Sequence, residues 1–323
     1  MPETNQIING DCIRILNEDP EGWVDLVFAD PPFNIGYLYD GYEDLKPAEQ
    51  YLHWCNQWIS AVHRALSPTG SFFLAIGDDY AAELCVEAKK VGFHLRNWII
   101  WHYTFGQQPK SKFARSHTHI LYFTKDKSQF TFNADAVRVK SARQTVYKDS
   151  RANKKGKLPD DTWYLRPQEA QEEGGFFGEL DDVWHASRVC GTFKEREGWH
   201  GCQMPLAVLD RIIKSASNPG DVVLDPFNGS GTTVLSAALL GRKYVGIELN
   251  EEYVALARRR LDHALPRVAE EMGLEHGTPI DLQEVADLIT DPKRASKVQT
   301  ATDALGRPRV PRRKARARMK ASA

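Results

Sequence analysis

Four consecutive residues, Asp30-Pro31-Pro32-Phe33, combine a carboxylate, backbone carbonyls held nearly fixed by two proline rings, and a flat apolar ring. Proline locks φ and removes an N–H donor, so the carbonyl oxygens here point outward with little freedom. A carboxylate beside a fixed carbonyl is an acceptor pair suited to an exocyclic –NH2 group, which has two hydrogens to donate. The Phe33 ring offers a face on which a nucleobase withdrawn from a helix can stack. Alone, the tetrapeptide is a weak signal, because Asp-Pro-Pro also occurs in ordinary turns.

A second stretch, Asp225-Pro226-Phe227-Asn228-Gly229-Ser230-Gly231-Thr232-Thr233, follows the apolar run Val222-Val223-Leu224. Glycines let the backbone approach a ligand closely, and a helix N-terminus offers free N–H groups. Three ligand classes compete for such a turn. A phosphate-cradling P-loop requires Lys after its second glycine, where this chain has Thr232. A dinucleotide fingerprint requires a third glycine at the position of Val234. A nucleoside without a pyrophosphate needs only the two glycines. Glu248, 17 residues after Gly231, suits that third class, since an acid at the end of the next strand can accept both ribose hydroxyls.

Positioning these groups requires strands that end at them. The chain alternates strand-like and helix-like stretches, the signature of an α/β fold with a largely parallel sheet. Val24 to Ala29 is a buried strand ending at Asp30, so both motifs are expected on one rim of the sheet. Pro47 opens an amphipathic helix with Leu52, Cys55, Ile59, Val62 and Leu66 at helical spacing, ended by Ser67-Pro68-Thr69-Gly70. Further strands are expected at 71–76, 98–103, 120–124, 222–224 and 244–247. Further helices are expected at 79–91, from Pro205 through Ile213, at 232–240 and at 251–264. Residues 138–182 break the pattern, and a loop of that length inside a compact domain is usually functional. The expected divisions are 1–132, an insertion at 133–182, 183–265, a helical extension at 266–306 and a basic tail at 307–323.

With 323 residues, 42% hydrophobic and 26% charged, the chain has the composition of a globular protein and excludes wholesale disorder. No apolar run is long enough to span a bilayer, and Met1-Pro2-Glu3-Thr4 does not begin a signal peptide. Five cysteines form no CxxC pair and read as reduced core thiols of a cytosolic protein. The net charge of −1 hides a division. Residues 307–320 hold eight basic residues and no acid, leaving 34 basic against 43 acidic residues elsewhere, near −9. A second basic stretch, 138–157, holds eight Lys/Arg and one acid, and 158–182 then holds eight acids and one Arg. Clustered positive charge is the footprint of a polyanion partner, although a solvated tail and a charged surface loop would look the same. His117 and His119 suggest a metal pair, but they precede the strand Ile120-Leu121-Tyr122-Phe123 and no cysteine or acid cluster is expected to complete a site, so no metal is expected. Trp54 and Trp58, four apart on a helix, read as core packing.

Taken together, the motifs resemble those of the amino-group DNA methyltransferases that use S-adenosylmethionine, in the permuted (beta) subgroup with the catalytic motif first. Asp30-Pro31-Pro32-Phe33 matches the family's catalytic motif, Asp225-Pro226-Phe227 with Gly229-Ser230-Gly231 its methionine-binding motif, and Gly246-Ile247-Glu248 its ribose motif. Gly10-Asp11 resembles the adenine-contacting segment. Cys202-Gln203-Met204-Pro205 resembles the segment lining the methionine end, with Met204 where many members have Lys.

The resemblance implies a Rossmann-like, seven-stranded, mostly parallel sheet with a recognition insertion and a short helical, basic C-terminal extension. It implies a cofactor site formed by Asp11, Asp30, Gln203, Asp225, Pro226, Phe227, Asn228, Gly229, Ser230, Gly231, Thr232, Thr233, Glu248 and Leu249. It implies methylation of adenine N6 in duplex DNA, because Asp at the first catalytic position is commoner among the adenine enzymes. Cytosine N4, an RNA or protein amine, or a silent DNA-binding protein are the alternatives. DNA contacts are expected from Tyr37, Tyr39 and Tyr42, and from Arg138, Lys140, Arg143, Lys148, Arg151, Lys154, Lys155 and Lys157. Arg312 and Arg313 in the tail are expected to add to them. A homodimer is expected, without a membrane, in the cytoplasm or nucleoid of a bacterium or phage-like host.

Overall fold

The structure is a computed structural model that describes residues 2–39, 42–103, 110, 111, 113–163, 197, 199 and 202–271. Its strands are β1 (Gln6–Asn9), β2 (Val24–Ala29), β3 (Leu38–Tyr39), β4 (Tyr42–Glu43), β5 (Leu66–Ile76), β6 (His94–His102), β7 (His117–Thr124), β8 (Thr162–Trp163), β9 (Val222–Asp225) and β10 (Lys243–Glu248). Its helices are α1 (Cys12–Glu18), α2 (Ala48–Ala65), α3 (Ala81–Val91), α4 (Ala142–Thr145), α5 (Leu206–Ala216), α6 (Thr232–Leu239) and α7 (Glu251–Glu271).

The main sheet runs β1-β10-β9-β2-β5-β7-β6-β8, with β3 and β4 paired separately. The five strands from β1 to β5 in that order are mutually parallel, and β7 is antiparallel to both β5 and β6. Seven strands match the expected sheet. The two-residue β8, contributed by the insertion, adds an eighth at the edge beside β6.

Burial on both faces explains the near-continuous apolar runs of the central strands. Leu26, Phe28 and Val223 point into one layer with α5, α6 and α7. Val24, Val27, Phe72 and Leu224 point into the other with α1, α2 and α3. The chain leaves β9 through α6 on the first face and moves to β10, while it leaves β2 through α2 on the second face and moves to β5. Strand order therefore reverses between β9 and β2. In open α/β sheets, the crevice outside the carboxyl ends at such a point is where ligands bind.

Several local expectations change. Leu66 begins β5 rather than ending the helix, and Ser67 to Gly70 are accommodated as an irregularity between the Val24–Leu66 and Leu26–Ser71 pairs. β6 and β7 start earlier than their apolar runs, at His94 and His117, because cross-strand pairing extends past the hydrophobic residues. β1 and α1 have no counterpart among the expected elements, being too short to establish a period. α7 continues to Glu271, beyond the expected Ala264.

The insertion is less irregular than its composition implies. Ser141 and Gln144 form a capping box on α4, and Val139 bridges Lys157. Cys12, Cys55 and Cys85 are buried free thiols and Cys202 is a partly buried one, as expected of reduced core cysteines, while Cys190 lies outside the described residues. Among those residues no helix is long and apolar enough to cross a membrane.

Trp58 is fully buried and meets Phe72 and Phe227 edge-on at centroid distances of 6.2 and 5.2 Å. It thus packs α2 against both the central sheet and the Gly-rich turn. Replacing it with alanine is expected to cost about 3–5 kcal/mol of stability, read as a lowered urea midpoint with an unchanged m-value.

Candidate active site

The two motifs meet because β2 and β9 are neighbours, with Leu26 opposite Val223 and Val27 opposite Leu224. Asp225 ends β9 and Asp30 directly follows β2, so both acids stand on one rim, on strands about 4.8 Å apart.

Asp30 is partly exposed and Pro31 is buried. The Pro32 carbonyl accepts a 2.7 Å hydrogen bond from the Tyr51 hydroxyl of α2, which fixes the turn. Burial raises the Tyr51 phenol far above its ordinary value, so this donor keeps its proton. Phe33 is partly buried and lies against Gly77 after β5. A Cβ on Gly77 would stand 3.2 Å from Phe33 Cδ2, so the small residue makes room for the ring. The following loop is held by two buried side chains, Asn34 and Asp44. Asp44 accepts from the backbone N–H of Asn34, Ile35 and Tyr37 at 2.7, 3.2 and 2.9 Å.

On the other side of the switch point, Gly229 and Gly231 take left-handed φ values of 46° and 75°. Such values favour glycine. The Gly229 N–H donates to Glu248 Oε2 at 2.8 Å, and the Asn250 N–H donates to Oε1 at 2.9 Å. The ribose-motif carboxylate is thereby pinned to the Gly-rich turn. Asp225 accepts from the Phe227 N–H at 3.0 Å and from the Thr233 side chain. Ser230 and Thr232 hydroxyls pair at 3.0 Å, and buried Arg260 donates to the Ser230 carbonyl and to Thr232 Oγ1. Gln203 is buried and accepts from the Glu197 N–H.

Gly10 donates to the Glu248 carbonyl at 2.9 Å, and Asp11 caps α1 through the Arg14 N–H. The parallel register Asn9–Glu248 therefore brings the Gly10-Asp11 segment beside Glu248 and Leu249. Leu249 is 55% exposed and presents an apolar surface there.

The chemistry of these residues fits a nucleoside carrying a cationic amino-acid arm. Asn228 is 4% exposed and both polar atoms of its side chain lack hydrogen-bond partners, so the turn retains unsatisfied polar capacity. Asp225 is pushed up to about 7, chiefly by burial, and burial also raises Glu248. Each acid holds its proton more readily in the fold than in the unfolded chain. As pH rises from about 4 through about 7, ionisation of Asp225 therefore erodes stability, unless a cation offsets it.

The expected DNA contacts are placed unevenly. Tyr37 is 40% exposed beside the acceptor turn. Tyr42 instead packs towards Trp54, at 5.7 Å between centroids, beneath the Lys46 ammonium. Tyr39 lies in β3, and its side chain is outside the described residues, as are Arg312 and Arg313.

The basic stretch is largely paired within itself. Arg138 and Lys155 meet Asp135, Arg143 and Arg151 meet Asp149, and Lys157 meets Asp160. Asn133, at its root, donates to the Ser217 carbonyl just before β9. That is the rim opposite Asp30. At its other end the stretch returns to the sheet through β8, where Thr162 and Trp163 pair with Ile100 and Trp101 of β6.

His117 and His119 lie within β7, not before a strand, and Asp78 from the end of β5 does reach both, at 3.2 and 3.0 Å. Trp98 Nε1 donates to His119 Nδ1 at 2.8 Å, which leaves the proton of the neutral ring on Nε2, facing Asp78. Asp78 also receives Arg115 at 2.6 Å. The cluster is a hydrogen-bonded hub beside Phe33.

Tyr51, Asp44, Asn9, Arg115 and Arg260 support the site without any local sequence signal that singles them out. A Cβ at Gly246 would overlap Asn228 Oδ1 and stand 2.7 Å from its Cγ. Gly246→Ala is therefore expected to displace the Gly-rich turn and weaken S-adenosylmethionine binding at least about tenfold, measured by calorimetric titration.

Comparison with known proteins agrees with this geometry. A sequence model of the N6/N4 family, described as DNA methylase, matches residues 24–259. The DNA adenine methyltransferase YhdJ of Escherichia coli K12 is 36% identical over 273 residues, covering 84% of this chain and 87% of its own. The type II methyltransferase M.HpaI of Haemophilus parainfluenzae is 33% identical, covering 80% and 74%. Among solved structures, TTHA0409, a candidate DNA modification methylase from Thermus thermophilus, aligns with a TM-score of 0.53 at 25% identity, over 81% of this chain and 96% of that one. The cytosine-N4-specific PvuII DNA methyltransferase shares the fold at TM-score 0.57 and 19% identity, over 89% and 92%. With two sets of rim residues joined at one switch point and a family match spanning both, the chain belongs to the N6/N4 family of DNA methylases.

Proposed function

We propose that the protein transfers a methyl group from S-adenosylmethionine to the exocyclic N6 of an adenine swung out of duplex DNA. The observation that carries this reading is the placement of the Asp30 acceptor turn and the Glu248-pinned glycine turn on adjacent strand ends. Adenine is favoured over cytosine by Asp30 at the first catalytic position and by the naming of YhdJ as an adenine enzyme.

Glu248 and the Gly10-Asp11 segment would hold the nucleoside of the cofactor, and Asp225 with the Gly-rich turn its methionine end. Bound there, the cofactor supplies a methyl group already activated by its sulfonium. An exocyclic amine is a poor nucleophile because its lone pair is delocalised into the ring. Hydrogen bonds from its two N–H groups to the Asp30 carboxylate and the Pro31 carbonyl favour a pyramidal nitrogen with that lone pair available. Phe33 stacks on the base and orients it, and Asp30 stands ready to receive the proton released on transfer. The remaining contribution is orientation and electrostatics. Tyr37 borders the base, and the recognition insertion and basic tail contribute phosphate contacts.

Expression in a methylation-free bacterial host followed by modification-sensitive sequencing tests the reading. Methylated adenine confined to one short motif is the expected result. Methylated cytosine would overturn the choice of base, and an unmodified genome would overturn DNA as the substrate. Asp30→Ala is expected to retain cofactor affinity while losing at least about 1,000-fold in kcat, as removal of a group acting at the reacting atom does. Parental turnover in that variant would overturn the catalytic assignment.

A pH dependence also follows. Asp225 ionises with a pKa of about 7, and its charged form complements a cationic ligand. Cofactor affinity should therefore fall by roughly tenfold from pH 8 to pH 6, and Asp225→Asn should flatten that fall. The cofactor's own amine titrates nearby, so the readout is the difference between wild type and variant.

A further inference from the structure

The loop that follows the acceptor turn is rigid on its inner side and apolar on its outer side. Asn34 and Gly36 take φ values of 58° and 77°, which reverse the chain sharply. Four consecutive N–H groups, from Asn34 to Tyr37, all donate to Asp44: three to its carboxylate and that of Gly36 to its carbonyl, at 2.6 Å. The Asn34 amide closes the other side, donating to the Lys46 carbonyl and the Tyr80 hydroxyl at 2.9 and 3.0 Å and accepting from the Lys46 N–H at 2.6 Å. Asn34 and Asp44 are 8% and 3% exposed. The turn is therefore set from within by polar groups.

Its outward side chains gain nothing from that arrangement. Ile35 is 53% exposed and Leu45 is 68% exposed. Leu45 Cδ1 lies 3.8 Å from where a Cβ on Gly36, the neighbour of Ile35, would stand, so the two exposed aliphatic residues belong to one turn and give it an apolar knob. Ile35 is two residues from Phe33, and two residues span at most about 7 Å. The knob therefore sits immediately beside the ring assigned to receive the extruded base.

We propose that Ile35 and Leu45 form a wedge that enters the base stack of duplex DNA as the target nucleotide leaves it. A departing base opens a gap bounded above and below by the apolar faces of its neighbours. An aliphatic side chain inserted between base steps covers those faces and offsets the lost stacking. The backbone bonds to Asp44 and Asn34 hold the knob in place, so little ordering entropy is lost on insertion. The wedge rests on the methyltransferase reading above, and it assigns the energetics of base extrusion to residues outside the acceptor turn.

The test compares wild type with an Ile35→Ala, Leu45→Ala double variant on two duplexes carrying the motif methylated in the host genome. One duplex is fully paired. The other has an abasic site opposite the target adenine, so that the base is already unpaired. The double variant is expected to lose at least about tenfold in kcat/KM on the paired duplex and less than about twofold on the abasic one, with unchanged S-adenosylmethionine affinity. The fluorescence rise of 2-aminopurine at the target position should fall in parallel on the paired duplex. Equal losses on both duplexes would overturn the wedge in favour of a purely structural loop. Full activity on both would overturn it outright, and a change in oligomeric state on sedimentation would assign the knob to a contact between copies of the chain. Wild-type protein that methylates no DNA would instead overturn the underlying reading.

Discussion

The parallel pairing of β2 with β9 is the constraint on which the rest of the site depends. These strands lie nearly two hundred residues apart in sequence, yet Leu26 faces Val223 and Val27 faces Leu224. The Asp25 carboxylate reinforces the pairing by accepting from the Val222 N–H at 2.9 Å. A parallel pair sends both chains out at the same rim, and here that rim carries Asp30 from one and Asp225 from the other. Because α2 and α6 leave on opposite faces, neither helix fills the crevice between them. The crevice follows from the topology, and the motifs occupy it because each follows its strand.

Packing across the crevice's floor then couples its two sides. Phe227 of the Gly-rich turn meets Trp54 and Trp58 of α2 at 5.7 and 5.2 Å, and α2 also supplies the Tyr51 hydroxyl to Pro32. One helix thus touches both turns. Aromatic pairs of this kind contribute about 0.5–1.5 kcal/mol each beyond the area they bury, enough to favour one relative position of the turns. An in-line displacement is sensitive to that position, since displacements of about 1 Å lower rates substantially.

The sequence is informative wherever chemistry lies in a local string. Asp30 to Phe33 and Asp225 to Thr233 each follow their own strand, so strand ends and motif order together indicate a shared rim. Groups that act through distant partners are not legible. Asp44 holds a turn ten residues upstream, and Asp78 reaches His117 and His119 only because β5 and β7 pair antiparallel, with Ile76 opposite His119. Charge counting gives the number of cations but not their partners. The stretch 138–157 carries eight basic residues, but Asp135 and Asp149 draw four of them into ion pairs, and composition does not record pairing. β1 leaves no readable signal because four residues establish no period, although its register places Gly10 beside Glu248.

The two sides of the crevice also differ in how they respond to protons. The acceptor turn is fixed by a phenol that burial keeps protonated and by backbone amides that do not titrate. The cofactor side instead depends on Asp225, whose carboxyl is nine-tenths or more buried and ionises near 7. A buried carboxylate of that kind is costly unless a cation shares its site. The molecule thus fixes the acceptor turn through hydrogen bonds from Tyr51 and to Asp44. On the opposite side it keeps an acid whose ionisation is favoured when a cationic ligand arrives, so ligand binding offsets the cost of burying that charge. Occupancy by a cationic cofactor should accordingly stabilise the fold most at the pH values where Asp225 would otherwise be least tolerated.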